Sequence, residues 1–276
     1  MNDFPMPPPD DSAGRPRKGF FRRHLFLSTF GLIGALALTF AGYVAYLTVG
    51  LPSVEHLRST NPDSTSLMQQ RADEARAQGK ELRHFQYWVP LDRISENVVQ
   101  AVRMGEDAAF FTHPGFDFHE LRESVQRNFE RGEFARGAST ITQQLAKNMF
   151  LSTEKSLDRK LKEAILTYRL ERALSKNRIL EIYLNVIEWG DGVYGVEAAA
   201  RTYFGKSAAY LDPAEAAFLA AMIPNPRQLN PTSRFDSVKR GQERILVWMS
   251  RAGFLSEEEL EAAKTKELRL RVSGPT

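Results

Sequence analysis

The chain has 276 residues, of which 42% are hydrophobic and 26% charged, a composition typical of a folded protein. Its net charge of +3 is too small to indicate a nucleic-acid-binding protein. Because the sequence contains no cysteine, disulfide bonds and thiolate metal sites are excluded.

The amino-terminal part of the chain predicts a membrane anchor. Residues 1–24 are rich in proline, aspartate and arginine, and the run from Leu25 to Leu51 has no charged side chain. Since about 20 apolar residues cross a bilayer core, residues 25–49 are long enough to span it. A cleaved signal peptide is the alternative, but its apolar core is usually only about 7 to 15 residues long. Basic residues before an anchor stay in the cytoplasm, so the rest of the chain is expected outside the cytoplasmic membrane.

Residues 50–84 are polar and are predicted to form a stalk. After them, the short aromatic run Phe85–Val89 is the best strand candidate. Ser95 is expected to cap a helix that ends at the acidic pair Glu106 and Asp107. The carbonyl end of a helix carries partial negative charge, so two carboxylates at this position are locally unfavourable. A functional role for one of these carboxylates would account for the pair.

The segment after the acidic pair combines aromatic residues with arginines. A His-Pro-Gly turn at His113 is expected to fold neighbouring aromatic side chains back over the pair, and a single histidine in such a place is typically structural. From Phe116 to Arg136, apolar residues recur at helical spacing between arginines. Two interpretations fit equally: an amphipathic helix packed on the core, and a helix at the membrane surface.

The stretch from Gly137 to Glu163 concentrates hydroxyl, amide and cationic side chains on two predicted helices. Thr140, with Gln143 three residues later, fits a capping box at the start of the first helix. One side of this helix is apolar, at Ile141, Leu145 and Met149. Its more exposed flank is expected to carry Gln143, Gln144 and Lys147. Asn148 falls on the apolar face, where a carboxamide needs hydrogen-bond partners, so it is either a structural tie or a ligand contact.

A second helix is predicted to start after Ser156. Its inward-facing residues are expected at Leu157, Leu161, Ala164, Ile165 and Tyr168. On this helix Arg159 and Lys160 lie within one turn of Glu163. An exposed ion-pair surface is one explanation, since such pairs are common. Together with Lys147, however, these residues would form a cluster of cations beside a carboxylate, which suits an anionic phosphate ligand.

The remainder of the chain is predicted to be helical around a glycine-rich loop, Gly190 to Gly195. Helix starts are expected after Ser175, Asp212, Asp236 and Ser256. The start at Asp212 is the clearest, because proline follows at the first helical position and a glutamate completes a capping box. With one strand candidate among these helices, the fold class is predicted to be mainly α.

Five sequence elements, in the family's order and spacing, resemble those of the peptidoglycan glycosyltransferases, and the match is close to their monofunctional, membrane-anchored biosynthetic branch. The first element contains Glu106, Asp107, Phe110, His113 and Gly115. The second contains Gly137, Ser139, Thr140, Thr142, Gln143, Gln144, Lys147 and Asn148, and the third Arg159, Lys160 and Glu163. The fourth is RILEIYLNVIEWGDGVYGVEAAARTYFGK, and the fifth runs from Pro224 to Pro231. One departure is Ala138, where many members have a second glycine.

This resemblance implies a lysozyme-like helical domain over residues 85–276 that polymerises lipid II onto a growing glycan chain. It implies inverting transfer and release of undecaprenyl pyrophosphate. The implied partners are lipid II, the growing glycan, the membrane and other cell-wall synthesis proteins. Nucleic acid is not expected as a partner.

The resemblance also assigns roles to residues, with Glu106 and Glu163 as the catalytic pair. Glu106 is implied to deprotonate the attacking hydroxyl. The pyrophosphate would be bound by Lys147, Arg159 and Lys160. Glu163 would either orient these cations or hold a divalent cation such as Mg²⁺ or Mn²⁺. The other implied substrate-binding residues are Asp107, Phe110, His113, Gly137, Ser139, Thr140, Gln144 and Asn148.

Patterns of penicillin-binding transpeptidases occur, but in the wrong order. Residues 152–155 fit Ser-x-x-Lys, and residues 95–97 fit the second element, which should follow rather than precede it. The Lys-Thr pair at residues 264–265 is followed by lysine instead of glycine. No transpeptidase domain is therefore predicted.

Two other classes of function remain open. A lytic transglycosylase or muramidase would share the lysozyme-like architecture and use a glutamate, but it cleaves neutral glycan and has no use for a pyrophosphate-binding cluster. A catalytically inactive scaffold within a wall-synthesis assembly is the non-enzymatic alternative, and the intact first and third elements argue against it.

The anchor is expected to remain in the mature protein, because its uncharged run is longer than the apolar core of a signal peptide. Mass measurement of the amino-terminal peptide of the membrane-extracted protein should therefore find residues 25–49 intact. A mature chain that begins after residue 40 would show instead that this segment is cleaved.

Overall fold

The computed structural model describes residues 18–131, 139–154 and 156–271. The chain divides into two units, Met1–Gly50 and Leu51–Thr276. In the first unit, helix α1 spans Lys18–Val49, and its part from Gly31 to Val49 is long and apolar enough to cross a membrane. This helix is compatible with the anchor predicted over residues 25–49.

The second unit is mostly helical within the described residues, which confirms the mainly α prediction. Its helices are α2 (Ser66–Ala77), α3 (Glu96–Glu106), α4 (Phe118–Arg131), α5 (Ile141–Phe150), α6 (Leu157–Ala173), α7 (Lys176–Val186), α8 (Val196–Phe204), α9 (Pro213–Ala220), α10 (Phe235–Arg251) and α11 (Glu257–Thr265). Short 3₁₀ turns occupy Glu55–Arg58, Leu91–Arg93 and Ala208–Tyr210.

A small sheet accompanies the helices. Its strands are β1 (Phe85–Gln86), β2 (Glu188–Gly190) and β3 (Val193–Tyr194), in the order β1-β3-β2. β1 is parallel to β3, and β2 is antiparallel to it. The predicted strand at Phe85 is thus confirmed but is shorter than expected. β2 and β3 were not predicted, because they are only a few residues long, fully buried, and lack the alternation that marks a half-exposed strand.

The core lies where α3 packs against α9 and α10, and where α5 packs against α6 and α7. α3 buries Val98 and Val102, four residues apart on one helix face. The largest fully buried side chains are Trp189, Tyr183, Tyr194, Phe110 and Phe218. Since burying one large apolar side chain stabilises a fold by roughly 1.5–3 kcal/mol, this core holds the end of α3 and the start of α5 firmly in place.

Residues 50–84 do not form the predicted stalk. Thr65 Oγ1 accepts a hydrogen bond from Met68 N (3.1 Å) at the start of α2, and α2 packs against α5. Leu57 and Met68 are buried in the same cluster as the rest of the core. The prediction was wrong because it relied on the mean polarity of this segment. The apolar residues are few and separated by polar ones, yet they form one buried face. The folded domain therefore begins before residue 85.

The buried face of α6 also differs from the predicted one. Leu157 and Tyr168 are exposed, by 85% and 54%. The residues that α6 buries are Glu163, Leu166, Thr167 and Leu170. The prediction counted apolar residues alone, whereas a carboxylate with cationic partners can also occupy a buried position.

The predicted capping boxes are confirmed at Thr140, Asp212 and Ser256. The first of them buries Gln143, which was expected on the exposed flank of α5, because Gln143 Oε1 accepts a hydrogen bond from Thr140 N (3.0 Å). Ser95 differs from its prediction. Its hydroxyl donates to Leu211 O (2.7 Å) instead of capping α3, and so joins the start of α3 to the segment before α9.

Gly195, which joins β3 to α8, offers a test of this packing. Its φ is +78°, and a Cβ there would lie 2.6 Å from Asn185 O, whereas Gly253 has a φ of +80° and open space around it. We expect Gly195→Ala to lower the free energy of unfolding by about 3 kcal/mol or more and Gly253→Ala by about 1 to 2 kcal/mol, since only the first adds a backbone clash to the strain. Denaturant unfolding of both variants measures this, and equal losses would contradict it.

Candidate active site

Glu106 is the last residue of α3, and it lies where two cavities meet. Gln144 donates a hydrogen bond from Nε2 to Glu106 Oε2 (2.7 Å). Tyr183 of α7 donates from its hydroxyl to Gln144 Oε1 (2.9 Å). Because the tyrosine hydroxyl occupies the amide oxygen, the amide nitrogen must point at Glu106. These two hydrogen bonds therefore hold the Glu106 carboxylate in one orientation.

Burial raises the pKa of Glu106 to about 7. The hydrogen bond from Gln144 and the positive charge of Lys147 act to lower it, and the negative charge of Asp107 adds to the increase. A carboxylate that titrates near neutral pH can accept a proton and release it under physiological conditions. Glu106 therefore has the protonation behaviour of a general base.

Asp107 ties the end of α3 to the start of α5. Its Oδ2 accepts a hydrogen bond from Ile141 N (3.0 Å), and its Oδ1 lies 2.9 Å from His113 Nε2. Gly115 N donates to His113 Nδ1 (3.0 Å), so His113 carries its proton on Nε2 and donates it to Asp107. Thr140 donates from its hydroxyl to Gly115 O (2.7 Å). The segment from Asp107 to Gly115 is thus held against the start of α5.

Phe110 and His113 were predicted to bind substrate, but they line neither of the two cavities. Phe110 is completely buried, with Lys176 Nζ 4.5 Å from the centre of its ring. The His113 side chain is 8% exposed and faces Asp107. Both residues belong to the segment that follows Glu106, and their contact with substrate, which the resemblance implies, stays a prediction. Gly137 lies outside the described residues.

Glu163 is buried in α6 between two cations. Arg159 donates from Nη1 to Glu163 Oε2 (2.8 Å), and Lys160 Nζ contacts Glu163 Oε1. Arg159 Nε is buried without a hydrogen-bond partner. Burial lowers the pKa of Lys147, the charge of Glu163 acts to raise it, and the two neighbouring cations lower it further. Three cations thus share one carboxylate, which leaves positive charge for an anionic ligand.

Two open cavities, of about 1740 Å³ and 1480 Å³, share Gly105, Glu106 and Ser139. The larger one, here called the cation cavity, is lined by polar residues, among them Gln144, Lys147, Asn148 and Arg159, and by the apolar residues Ile187, Ile223 and Pro224. The other, here called the second cavity, is lined among others by Asp107, Asp117, Thr140, Trp248 and Arg251. The structure therefore brings most of the predicted polar residues together around Glu106.

Two residues that line the cation cavity were missed by sequence reasoning. They are Arg71 of α2 and Glu188 of β2. Glu188 lies 3.2 Å from Arg71 Nη2 and 3.2 Å from Arg227 Nε, and burial raises its pKa while the two arginines act to lower it. No local pattern pairs residues so distant in sequence. The available signal was a glutamate between two large apolar residues, Ile187 and Trp189.

The residues around Glu163 do not fit a divalent cation as they stand. Within residues 18–131, 139–154 and 156–271, no three His, Asp or Glu side chains are grouped so that they could hold a metal ion. Both carboxylate oxygens of Glu163 contact cations, Arg159 and Lys160. Of the two roles expected for Glu163, the geometry therefore favours orienting the cations.

Comparison with known proteins places these features in a family. Residues 74–250 match the model of the transglycosylase family. A protein of Aromatoleum aromaticum named biosynthetic peptidoglycan transglycosylase is 51% identical over 168 residues, which cover 61% of this chain and 73% of that protein. A protein of the same name from Dechloromonas aromatica is 47% identical over 70% of this chain and 83% of its own length. Penicillin-binding protein 1A from Haemophilus influenzae is similar over 68% of this chain and 18% of its own, with 21% identity and a TM-score of 0.40, too low to support an argument.

A partly buried glutamate beside a cation cavity in a helical domain is a site suited to glycosyl transfer. The chain belongs to the transglycosylase family, and it is a glycosyltransferase of peptidoglycan synthesis. The matched region begins within α2, in agreement with a domain that starts before residue 85.

Glu106→Gln should stabilise the protein in a pH-dependent way. The pKa of Glu106 is raised from its usual 4.5 to about 7 by folding, so its ionisation disfavours the folded state increasingly as the pH rises from 4.5 through 7. Glutamine keeps the acceptor for Gln144 without the charge. We expect the variant to match the wild type at pH 4.5 and to exceed it by up to about 3 kcal/mol at pH 8.

Unfolding of the full-length protein in detergent at both pH values measures this difference. Glu243→Gln, at an exposed position of α10, is the control and should show no such dependence. A Glu106→Gln variant that is equally stable relative to the wild type at pH 4.5 and pH 8 would mean that burial does not raise the pKa of Glu106.

Proposed function

We propose that this enzyme polymerises lipid II into linear glycan strands by inverting glycosyl transfer, releasing undecaprenyl pyrophosphate, without transpeptidase activity. The observation that carries the proposal is the position of Glu106 between the cation cavity and the second cavity. Inverting displacement of a pyrophosphate by a hydroxyl needs a site for the anionic leaving group and a base for the nucleophile, on opposite sides of the reacting carbon.

The cation cavity suits the lipid-linked pyrophosphate of the donor. As the bond between C1 and the phosphate oxygen breaks, its electron pair leaves with the pyrophosphate, and Lys147, Arg159 and Lys160 stabilise the negative charge that develops. Arg159 Nε, buried without a partner, is a donor available to a phosphate oxygen. The apolar side of the cavity, at Ile187 and Ile223, suits the beginning of a lipid chain.

Glu106 suits the role of base on the acceptor side. The C4 hydroxyl of the acceptor's GlcNAc gives its proton to Glu106 as its oxygen attacks C1 of the MurNAc on the growing chain. The carboxylate is held for this by Gln144, and its pKa near 7 leaves it able to accept a proton at neutral pH. Attack from the side opposite the cation cavity inverts the configuration at C1.

The membrane helix fits substrates that carry lipid tails. In the proposal α1 crosses the cytoplasmic membrane once, with the amino terminus in the cytoplasm and the catalytic domain outside, in contact with lipid II, the growing glycan and other cell-wall synthesis proteins. The side chains of Phe118 and Leu121 on α4 are exposed by 70% and 45%, which supports contact of this helix with the membrane surface.

Incubation of the purified full-length protein with lipid II alone tests the proposal. The expected product is a linear polymer without peptide cross-links. Cleavage of preformed glycan without polymer formation would identify a lytic enzyme instead. Binding of lipid II without any turnover would identify a scaffold.

Glu106→Gln and Glu163→Gln should lose polymerisation for different reasons. Glutamine at position 106 keeps the hydrogen bond but removes the base, so turnover should fall about 10²- to 10⁴-fold while binding of a lipid-linked substrate analogue survives. At position 163 the substitution releases Arg159 and Lys160, so binding and turnover should both fall.

Polymerisation and analogue binding are measured for both variants under one set of conditions, with Glu243→Gln as the control that should resemble the wild type. Near-normal polymerisation by Glu106→Gln would rule out the general-base role. A loss of binding confined to Glu106→Gln would mean that the two roles are reversed.

A further inference from the structure

Part of the second cavity is lined by residues to which the proposed reaction assigns no role. Trp248 and Arg251, near the end of α10, line this cavity together with Glu106. Trp248 is 41% exposed, beside the face of α10 that buries Ile245 and Met249. A single exposed tryptophan is ordinary on a protein surface. One that lines a cavity beside the proposed general base is in a place where a substrate can contact it.

Close helix packing fixes the distance between this wall and the base. α3 and α10 pack against each other, and Gly105 lies at their contact next to Glu106. A Cβ at Gly105 would lie 3.2 Å from Ile245 Cδ1, so the absence of a side chain allows the helices to approach. Trp248 follows Ile245 by one helical turn. The indole is therefore carried by the rigid core and not by a loop.

A cation between two aromatic rings braces the same wall at the end of α10. The guanidinium of Arg103 lies 4.7 Å from the centre of the Phe111 ring and 5.8 Å from that of Phe254. Phe254 follows α10 by three residues, whereas Arg103 precedes the end of α3 by three. Such contacts are attractive, and here they join the ends of the helices that carry Glu106 and Arg251.

The chemistry of the two side chains indicates what they bind. The flat apolar face of an indole stacks against the C–H face of a pyranose ring, and its area makes that contact favourable. A guanidinium binds carboxylates through paired hydrogen bonds. Arg251 is exposed and forms no ion pair with another described residue, so its charge is available to a ligand in the cavity. The expected ligand is a sugar unit that carries an acidic peptide.

Resting on the function proposed above, we infer that Trp248 is a stacking platform for the acceptor disaccharide and that Arg251 binds a carboxylate of the peptide on that disaccharide. The donor's pyrophosphate belongs with the cations, on the other side of Glu106. The hydroxyl that Glu106 deprotonates must then come from the second cavity. Both residues are positioning residues for the acceptor and leave the donor untouched.

Kinetics with separate donor and acceptor test the role of Trp248. Full-length enzyme in detergent receives a lipid-linked tetrasaccharide as donor at a fixed, saturating concentration, and lipid II is varied as acceptor. Trp248→Ala should raise the acceptor KM about three- to tenfold, and Trp248→Phe should raise it less because a ring remains. The affinity for a non-reacting donor analogue should not change. Tyr210→Ala, at a 76% exposed aromatic residue that lines neither cavity, is the matched control.

A second comparison isolates Arg251. Arg251→Gln should raise the KM of lipid II about tenfold but should leave the KM of a lipid-linked disaccharide without peptide unchanged, since the lost contact is with a carboxylate. Trp248→Ala should affect both acceptors equally. Arg244→Gln, on an exposed part of the same helix away from both cavities, is the charge-matched control.

The outcomes separate this inference from the proposed function. Polymerisation by the wild type with an unchanged acceptor KM for both variants would overturn the inference and leave the proposed function standing. An equal loss of donor affinity would overturn it as well, since it would show a general structural effect. If the wild type does not polymerise lipid II, the proposed function fails, and the inference fails with it.

Discussion

The carboxylate of Asp107 joins two helix ends that carry opposite partial charges. It accepts a hydrogen bond from Ile141 N at the positive start of α5, so its negative charge is compensated there. Its neighbour Glu106 closes α3 at the negative carbonyl end and receives the neutral amide of Gln144. Two adjacent carboxylates therefore meet opposite helix dipoles. This contrast explains how one becomes a fixed tie between helices while burial raises the pKa of the other to about 7.

The cation cavity follows from the same arrangement. Because Asp107 fixes where α5 begins, it also fixes where Lys147 stands relative to Glu106, and α6 packs against α5 to add Arg159 and Glu163. Burying cations costs free energy that a single carboxylate offsets only in part. The lowered pKa of Lys147 and the unpartnered Arg159 Nε are signs of that cost. An anionic ligand in this cavity can therefore bind to cationic hydrogen-bond donors whose positions are already fixed.

Sequence patterns correctly predicted those features of the site that depend on residues within a single helix. The capping box at Thr140 predicted the start of α5, and the spacing of Arg159 and Glu163 predicted their ion pair. The wrong predictions concern contacts between segments distant in sequence. Leu157 was expected inside because it is apolar, but burial depends on which neighbour covers a helix face. The burial of Leu57 and Met68, within the predicted stalk, depends likewise on packing that no local pattern contains.

The hydrogen-bond partner of Glu106 is the neutral amide of Gln144 and not a cation, and this limits how far the pKa of Glu106 can move. Burial raises that pKa and the charge of Lys147 lowers it. A cation in place of Gln144 would strengthen the second effect and make Glu106 a weaker base, whereas a carboxylate would hold the proton on Glu106 at neutral pH. An amide adds no charge, and the hydroxyl of Tyr183 fixes its direction. In the proposed reaction, the cation cluster can therefore stabilise the leaving group without neutralising the carboxylate of Glu106.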